Sequence, residues 1–213
     1  MKKLKNILLW SLPVVLPILS IVGYEIYIFN TPPGILSEKK EDGSYETIAP
    51  FELTSQKNET FSSEKLNGHY YLVNFFFISC PDICPEMNSK MEDFYNRFGD
   101  LDNFRMVSFT VNPEQDKPED LAAYASSKDA QYPDWVFLTG DRGTIYSLAR
   151  NSFRVSAAET DGGSDGFLHS ELLILVDDKG RLRGFYESTE RDEMLRLENH
   201  LEMLLLNEKE QQS

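Results

Sequence analysis

Hydrophobic and polar positions follow two periods along most of the chain, and these periods predict strands and helices in turn. The run YYLVNFFF at residues 70–77 is almost continuously apolar, as is typical of a central strand covered on both faces. The other predicted strands are 48–53, 104–111, 135–138, 171–176 and 181–186, and the predicted helices are 86–98, 118–127, 142–151 and 191–206. Strands separated by helices at this spacing predict an α/β fold, and Asp177-Asp-Lys-Gly predicts a closing hairpin.

The N-terminal pattern is different, because residues 7–24 are 18 consecutive uncharged residues. As a helix they would measure roughly 27 Å, close to the hydrocarbon thickness of a bilayer. Three lysines precede the run and none follows closely, which favours a single-pass anchor with a cytoplasmic N-terminus and the main domain outside. A cleaved signal peptide is the alternative, although the run is longer than the usual apolar region and bulky residues follow it.

The remaining pattern divides the chain into five parts. We predict a cytoplasmic basic tip at 1–6, a transmembrane anchor at 7–29, a linker at 30–44, the folded domain at 45–207 and a polar tail at 208–213. The linker is assigned because neither the strand period nor the helix period continues there.

Composition narrows the class of function. The chain has 213 residues and a net charge of −14, of which the first thirty residues contribute +2 and the rest −16. Nucleic-acid binding needs clustered lysine and arginine, so we expect no nucleic-acid partner.

The candidate chemistry lies where the central strand ends and the next helix begins, in the sequence Cys80-Pro-Asp-Ile-Cys84-Pro85. These are the only two cysteines of the chain. A helix N-terminus lowers the pKa of a thiol, and both nucleophilic and metal-binding cysteines need the thiolate. A structural disulfide is the third possibility, but it would close a very small loop and constrain the unfolded chain little.

A soft-metal site usually adds an imidazole to its thiolates, and three histidines are available. His169 precedes the strand predicted at 171–176, and it could reach the cysteines if that strand lies beside the central one. His69 lies at the wrong end of the central strand, and His200 is expected to be a solvated or half-buried surface histidine. Met87 and Met91 are closer to the cysteines, but their helical spacing predicts core packing rather than ligation.

Residues 74–87 (NFFFISCPDICPEM), residues 110–118 (TVNPEQDKP) and His169-Ser170 resemble the Sco/SenC family of copper-binding thioredoxin-like proteins. The resemblance covers roughly residues 45–207. It implies a thioredoxin-like fold and one copper ion, Cu(I) or Cu(II), bound by Cys80, Cys84 and His169. It also implies a metallochaperone that assists CuA-site assembly, with cytochrome c oxidase subunit II or another copper protein as recipient and a separate copper donor protein.

Two features bear on this interpretation. The family usually has an aspartate where this chain has Asn112, so any role of that carboxylate around the metal is in doubt here. The chain also has no proline after Pro133, so it lacks the proline that thioredoxin-like oxidoreductases place opposite their cysteines. The alternatives are a thiol:disulfide reductase, in which Cys80 would attack and Cys84 resolve, and a copper or redox sensor.

Overall fold

A computed structural model of the protein describes residues 15–24, 27–79, 84–155 and 170–211, with side chains given except at 84–85 and 207–211. The chain forms two compact units, Met1–Pro32 and Pro33–Ser213. Residues 15–24 and 27–29 of the first unit are helical. Within the described ranges, no helix is both long enough and apolar enough to cross a membrane. The predicted anchor at 7–29 lies partly outside these ranges and stays a prediction.

The second unit is built on a single sheet. Its strands are β1 (Glu52–Ser55), β2 (Thr60–Ser62), β3 (Tyr70–Phe76), β4 (Phe104–Thr110), β5 (Trp135–Thr139), β6 (Leu172–Val176) and β7 (Leu182–Glu187). The seven strands lie in the order β2-β1-β5-β4-β3-β6-β7. β3, β4 and β5 are parallel to one another. β1 runs antiparallel to β5, and β6 runs antiparallel to both β3 and β7. The predicted mixed sheet is therefore confirmed.

The helices follow the strands in the predicted order. They are α1 (Cys84–Phe98), α2 (Pro118–Ser127), α3 (Arg142–Ser147), which continues as a π-helical turn (Leu148–Ser152), and α4 (Arg191–Gln211), with a 3-10 turn at Ser63–Leu66. α1 begins two residues before the predicted start at 86, and α4 extends beyond the predicted end at 206.

β3 is the centre of the hydrophobic core. All seven of its residues are buried, which is the result expected for a strand with both faces covered. Phe75 stacks on Phe109 of β4 with ring centroids 5.1 Å apart, and Phe153 packs edge-on against Phe75. Burying one such side chain contributes about 1.5–3 kcal/mol. The aromatic residues of β3 are thus core residues, as their pattern predicts.

The segment that precedes β1 belongs to the folded unit, although the sequence predicted a linker at 30–44. Leu36 donates its N–H to the carbonyl of Leu182 at 2.8 Å, and the hydroxyl of Ser37 accepts the N–H of Leu182 at 3.0 Å. The backbone N–H of Ile48 donates to the carbonyl of Gly180 at 2.8 Å. β7 is an edge strand, and an edge strand leaves a row of backbone groups to be paired. The segment pairs with some of these groups, so the compact unit begins at Pro33.

The first predicted strand, 48–53, is displaced in the structure to β1, and the short partner strand β2 was not predicted. Pro50 has no N–H to donate within a strand ladder. The backbone N–H of the next residue, Phe51, donates to the hydroxyl of Ser63 at 3.0 Å and not to a neighbouring strand. The turn between β1 and β2 places Asn58 at a φ of 58°, a conformation that asparagine tolerates.

The prediction that His200 lies at the surface is wrong. Its side chain is only 5% exposed, and the hydroxyl of Tyr186 on β7 bonds its Nδ1 at 2.7 Å. Its Nε2 has no hydrogen-bond partner among the described residues. Burial, together with the charges of Arg196 and Arg183, lowers the pKa of His200 from 6.5 to about 4. The imidazole is therefore a neutral element of the contact between α4 and β7.

We predict that the free energy of unfolding falls as the pH drops from about 6.5 towards 4, by up to roughly 3 kcal/mol. Over this range the unfolded chain binds a proton that buried His200 does not bind, so lowering the pH favours unfolding. His200→Asn should flatten this dependence, whereas Tyr186→Phe should keep it, because the imidazole is still present. Urea unfolding at a series of pH values measures the effect. Parallel pH profiles for the wild type and His200→Asn would contradict it.

Candidate metal centre

Three parallel strands end at one edge of the sheet. The carboxyl ends of β3, β4 and β5 are at Phe76, Thr110 and Thr139, and Val111 donates its N–H to the carbonyl of Phe76 at 2.8 Å. Because β6 is antiparallel to β3, with Ile174 opposite Val73 and Val176 opposite Tyr71, its amino end at Leu172 points to the same edge. The strand that follows His169 therefore lies beside the central strand, which is the arrangement that an approach of His169 to the cysteines requires.

The segments that flank the predicted ligands meet this edge. Phe77 is buried, Ile78 is half-buried, and Ser79 is the last described residue before Cys80. Cys84 is the first residue of α1, and buried Ser170 directly follows His169. Cys80 and His169 themselves lie outside the described residues, and the side chain of Cys84 is not described. The geometry of the three ligands thus stays a prediction.

A buried carboxylate, Asp116, joins the ends of the strands. Its Oδ2 accepts the backbone N–H of Ile78 at 3.2 Å and also the hydroxyl of Thr110. Its own carbonyl accepts the hydroxyl of Thr139 at 3.0 Å. The side chain is 3% exposed, and burial raises the pKa of Asp116, although the hydrogen bonds from Thr110 and Ile78 act in the opposite direction. One side chain therefore contacts β4 and the segment after β3, while its backbone contacts β5.

Asn112 occupies the position where the family usually has an aspartate, and the structure shows what its amide does. The side chain is 4% exposed, and its Nδ2 donates to Gln115 Oε1 at 3.1 Å. Its backbone N–H donates to Thr110 Oγ1 at 3.1 Å, and its carbonyl accepts the N–H of Asp116 at 2.9 Å. A carboxylate has no N–H to donate to Gln115. The amide thus has a hydrogen-bond partner within its own loop, and an aspartate here would need Gln115 to present its Nε2 instead of its Oε1.

A second buried polar group attaches α1 to the sheet. Asn88, one helical turn after Cys84, accepts a hydrogen bond from Asn74 Nδ2 on β3 at 3.0 Å. Asn74 Oδ1 accepts the hydroxyl of Ser108 on β4 at 2.6 Å, and Ser108 Oγ accepts the indole N–H of Trp135 on β5 at 2.9 Å. A satisfied polar network inside an apolar core fixes one packing arrangement. It therefore fixes the position of the helix that begins with Cys84.

The sequence analysis did not predict this network or the contacts of Asp116. The available signal was Asn74, a single polar residue inside the apolar run of β3. A buried amide must find hydrogen-bond partners, but its position in the sequence does not say which neighbouring strand supplies them.

Met87, Met91 and His69 lie where the sequence predicted them to lie. Met87 and Met91 are fully buried in the core with Phe94 and Phe98, which confirms that their helical spacing reflects packing. His69 is half-buried just before β3, at the opposite end of that strand from Cys80. In the ranges that the structure describes, no group of three histidine, cysteine, aspartate or glutamate side chains is arranged to hold a metal ion.

The donor set predicted for this edge from the sequence consists of two thiols and one imidazole. Thiolates suit Cu(I), and imidazole suits Cu(II), so the residue types fit copper. An α/β domain with this mixed sheet, and with two cysteines in the sequence from the end of the central strand to the first turn of the following helix, is typical of a thioredoxin-like protein.

Comparison with known proteins identifies the family. The SCO1/SenC family model matches residues 39–203, and the chain belongs to this family. It is 31% identical to the SCO1 protein homolog of Bacillus subtilis (strain 168) over 153 residues, which are 71% of this chain and 78% of that protein. The resemblance inferred from the sequence motifs is confirmed.

Solved structures agree in fold. The Arabidopsis thaliana ScoI structure with copper bound is 25% identical, with a TM-score of 0.59 over 74% of this chain and 98% of that chain. BsSco, a Sco family member of the cytochrome c oxidase assembly proteins in which a disulfide switch was identified, is 28% identical. Its TM-score is 0.61 over 76% of this chain and 90% of that chain. The thioredoxin-like Sco fold is thus confirmed, and copper-bound relatives support the predicted copper cofactor.

Proposed function

We propose that this protein is a membrane-anchored copper metallochaperone that assists assembly of the CuA site of cytochrome c oxidase. Cys80, Cys84 and His169 bind the copper ion, which is cargo received from a copper donor protein. The recipient is cytochrome c oxidase subunit II or another copper protein. Membership of a family that includes copper-binding proteins of cytochrome c oxidase assembly supports this function.

The observation that carries the proposal is the antiparallel pairing of β6 with β3. It leads the segment that begins β6 to the sheet edge where β3 ends. Ser79 directly precedes Cys80, Cys84 begins α1, and Ser170 directly follows His169. This pairing supports a site in which the imidazole of His169 and the thiols of Cys80 and Cys84, far from it in the sequence, are supplied by two neighbouring strands.

The chemistry of the ligands suits transfer in either oxidation state. Two thiolates form a site for Cu(I), and the addition of the imidazole makes the site suitable for Cu(II) as well. A site with three protein ligands leaves room for an incoming ligand of the recipient, so copper can be passed by ligand exchange. The start of α1 favours the thiolate form of a nearby cysteine, which both ions require.

We predict that the reduced full chain binds one equivalent of Cu(I) or Cu(II), and that His169→Ala weakens Cu(II) binding more than Cu(I) binding. Two thiolates remain for the softer ion. The loss for Cu(II) should be about 100-fold or more, because loss of even an outer partner of a ligand costs about 10–100-fold. Anaerobic titration in competition with a chelator measures both affinities.

His69→Ala is the matched control, because it removes a histidine that lies beyond the opposite end of β3. It should bind both ions as the wild type does. Equal Cu(II) affinity of His169→Ala and the wild type would contradict the assignment of His169.

A thiol:disulfide reductase is the second candidate. The disulfide switch identified in the related BsSco favours it, since it shows that cysteines of a family member change oxidation state. In that reaction Cys80 attacks a target disulfide to form a mixed disulfide, and Cys84 resolves it, so the target gains two electrons and the pair becomes oxidised. Absence of tight copper binding in the titration, combined with fast exchange with a disulfide substrate, would favour this function over metallation.

The anchor is the remaining part of the proposal. Its support is the uncharged segment 7–24 and the three lysines before it, which favour a cytoplasmic N-terminus and an extracytoplasmic domain. In this proposal the acidic domain lies outside the cytoplasm.

We predict that a reporter enzyme fused after residue 30 is active only if the reporter works outside the cytoplasm. Alkaline phosphatase should be active and β-galactosidase inactive at this junction. The same pair of reporters fused after residue 6, before the apolar segment, should give the reverse result. Activity of β-galactosidase at residue 30 would overturn the orientation.

A further inference from the structure

Asp116 is a buried carboxylate that is not one of the proposed copper ligands. We infer that Asp116 is a positioning residue for the copper site, because it holds the backbone that leads into Cys80. The inference rests on the proposed function and adds to it a residue that controls the ligands without binding the metal.

The contacts of Asp116 point to this role. Its Oδ2 accepts the N–H of Ile78 at 3.2 Å, two residues before Cys80. β3 ends at Phe76, so the N–H of Ile78 lies beyond the last residue of the strand and is not part of the sheet. The carboxylate provides this N–H with an acceptor that the sheet does not supply.

Asp116 is itself fixed from three directions. The hydroxyl of Thr110 donates to the same Oδ2, the N–H of Asp116 donates to the carbonyl of Asn112 at 2.9 Å, and its carbonyl accepts the hydroxyl of Thr139 at 3.0 Å. An acceptor held by β4 and β5 in this way is rigid relative to the sheet. It therefore transmits the rigidity of the sheet to the segment before Cys80.

Comparison with the other fully buried aspartate shows that Asp116 is unusual. Asp177 lies at the opposite end of β3, and its carboxylate forms ion pairs with Arg181 and Arg183. Asp116 has no ion-pair partner among the described residues. A buried carboxylate without a counter-charge is costly, so an apolar residue would serve simple packing better. The free-energy cost of burying this carboxylate is consistent with a role in positioning the segment before Cys80.

The consequence concerns the precision of the ligand geometry. Removal of the carboxylate leaves the Ile78 N–H without its acceptor and frees the segment that carries the first ligand. Cu(II) has stronger geometric preferences than Cu(I) bound by two thiolates, so Cu(II) binding should depend more on this residue. Asparagine has the same size and keeps an acceptor oxygen, so it should replace aspartate if position is what matters.

The test compares Asp116→Ala and Asp116→Asn in the full chain, without metal and with copper. We expect amide hydrogen exchange at Ile78 to become roughly tenfold faster in Asp116→Ala, and Cu(II) affinity to fall about 10–100-fold with a smaller loss for Cu(I). Asp116→Asn should stay close to the wild type in both measurements.

Asp120→Ala is the matched control. Its carboxylate also accepts a backbone N–H, that of Lys117 at 3.1 Å, but this contact caps α2 and does not reach the segment before Cys80. The variant should lose some helix stability and leave both Ile78 exchange and copper affinity unchanged. If Asp116→Ala does not fold, Thr110→Val replaces it, since it removes one of the two hydrogen bonds to Oδ2, and it should change both measurements in the same direction by a smaller factor.

Wild-type exchange at Ile78 and wild-type Cu(II) affinity in Asp116→Ala, or in Thr110→Val where Asp116→Ala does not fold, would overturn the inference. Equal losses in Asp116→Asn and Asp116→Ala would also overturn it, because the negative charge rather than the position would then be essential. Failure of the proposed function is distinguishable, since it appears as weak copper binding by the wild type. The exchange of Ile78 is measured without copper and is independent of that result.

Discussion

The antiparallel pairing of β6 with β3 is the constraint on which the site depends. If β6 ran parallel to β3, its amino end would lie at the opposite edge of the sheet, and His169 would enter far from the cysteine motif. The observed register, with Leu175 opposite Leu72, instead brings the chain back to the edge where β3, β4 and β5 end. β6 and β7 form a hairpin, and its turn lies at the opposite edge of the sheet, beside the start of β3. The turn at Asp177 is stabilised by backbone hydrogen bonds from Lys179 and Arg181 to the aspartate carboxylate.

Buried polar groups join the elements that meet at that edge. The Asn74–Asn88 contact fixes the helix that begins with Cys84, and Asp116 fixes the segment before Cys80. The side chains of Asn74, Asn88 and Asp116 are all buried. A metal site that passes its ion to a partner has to keep its ligands accessible, so their geometry must be held from behind. These two contacts provide such support on either side of the cysteine motif.

The sequence predicted the strands and helices whose apolar residues recur with the spacing of a strand or a helix. β3 was recognisable because its apolar run is unbroken, and Met87 and Met91 because their spacing matches a buried helical face. The motif around Cys80 and Cys84 identified the family, since three intervening residues distinguish it from thioredoxins. The segment at 33–44 was not recognised as part of the fold because its pairing with the edge of β7, through the Leu36 N–H and the Ser37 hydroxyl, leaves no hydrophobic pattern.

Tertiary contacts account for the remaining differences. His200 looks like a surface residue in a charged helix, and only its contact with Tyr186 on β7 shows that it is buried. Asn112 looks like the loss of a functional carboxylate, and its bond to Gln115 shows a different use of the position. In each case the partner is a side chain whose proximity depends on the three-dimensional packing, and a single sequence does not encode that proximity in any periodic signal.

X-ray absorption spectroscopy of the full chain, loaded with one equivalent of copper, tests the central claim most directly. The account predicts two sulfur scatterers for both Cu(I) and Cu(II), with an added imidazole nitrogen for Cu(II), as expected for ligation by Cys80, Cys84 and His169. A copper environment composed only of nitrogen and oxygen ligands would contradict the account.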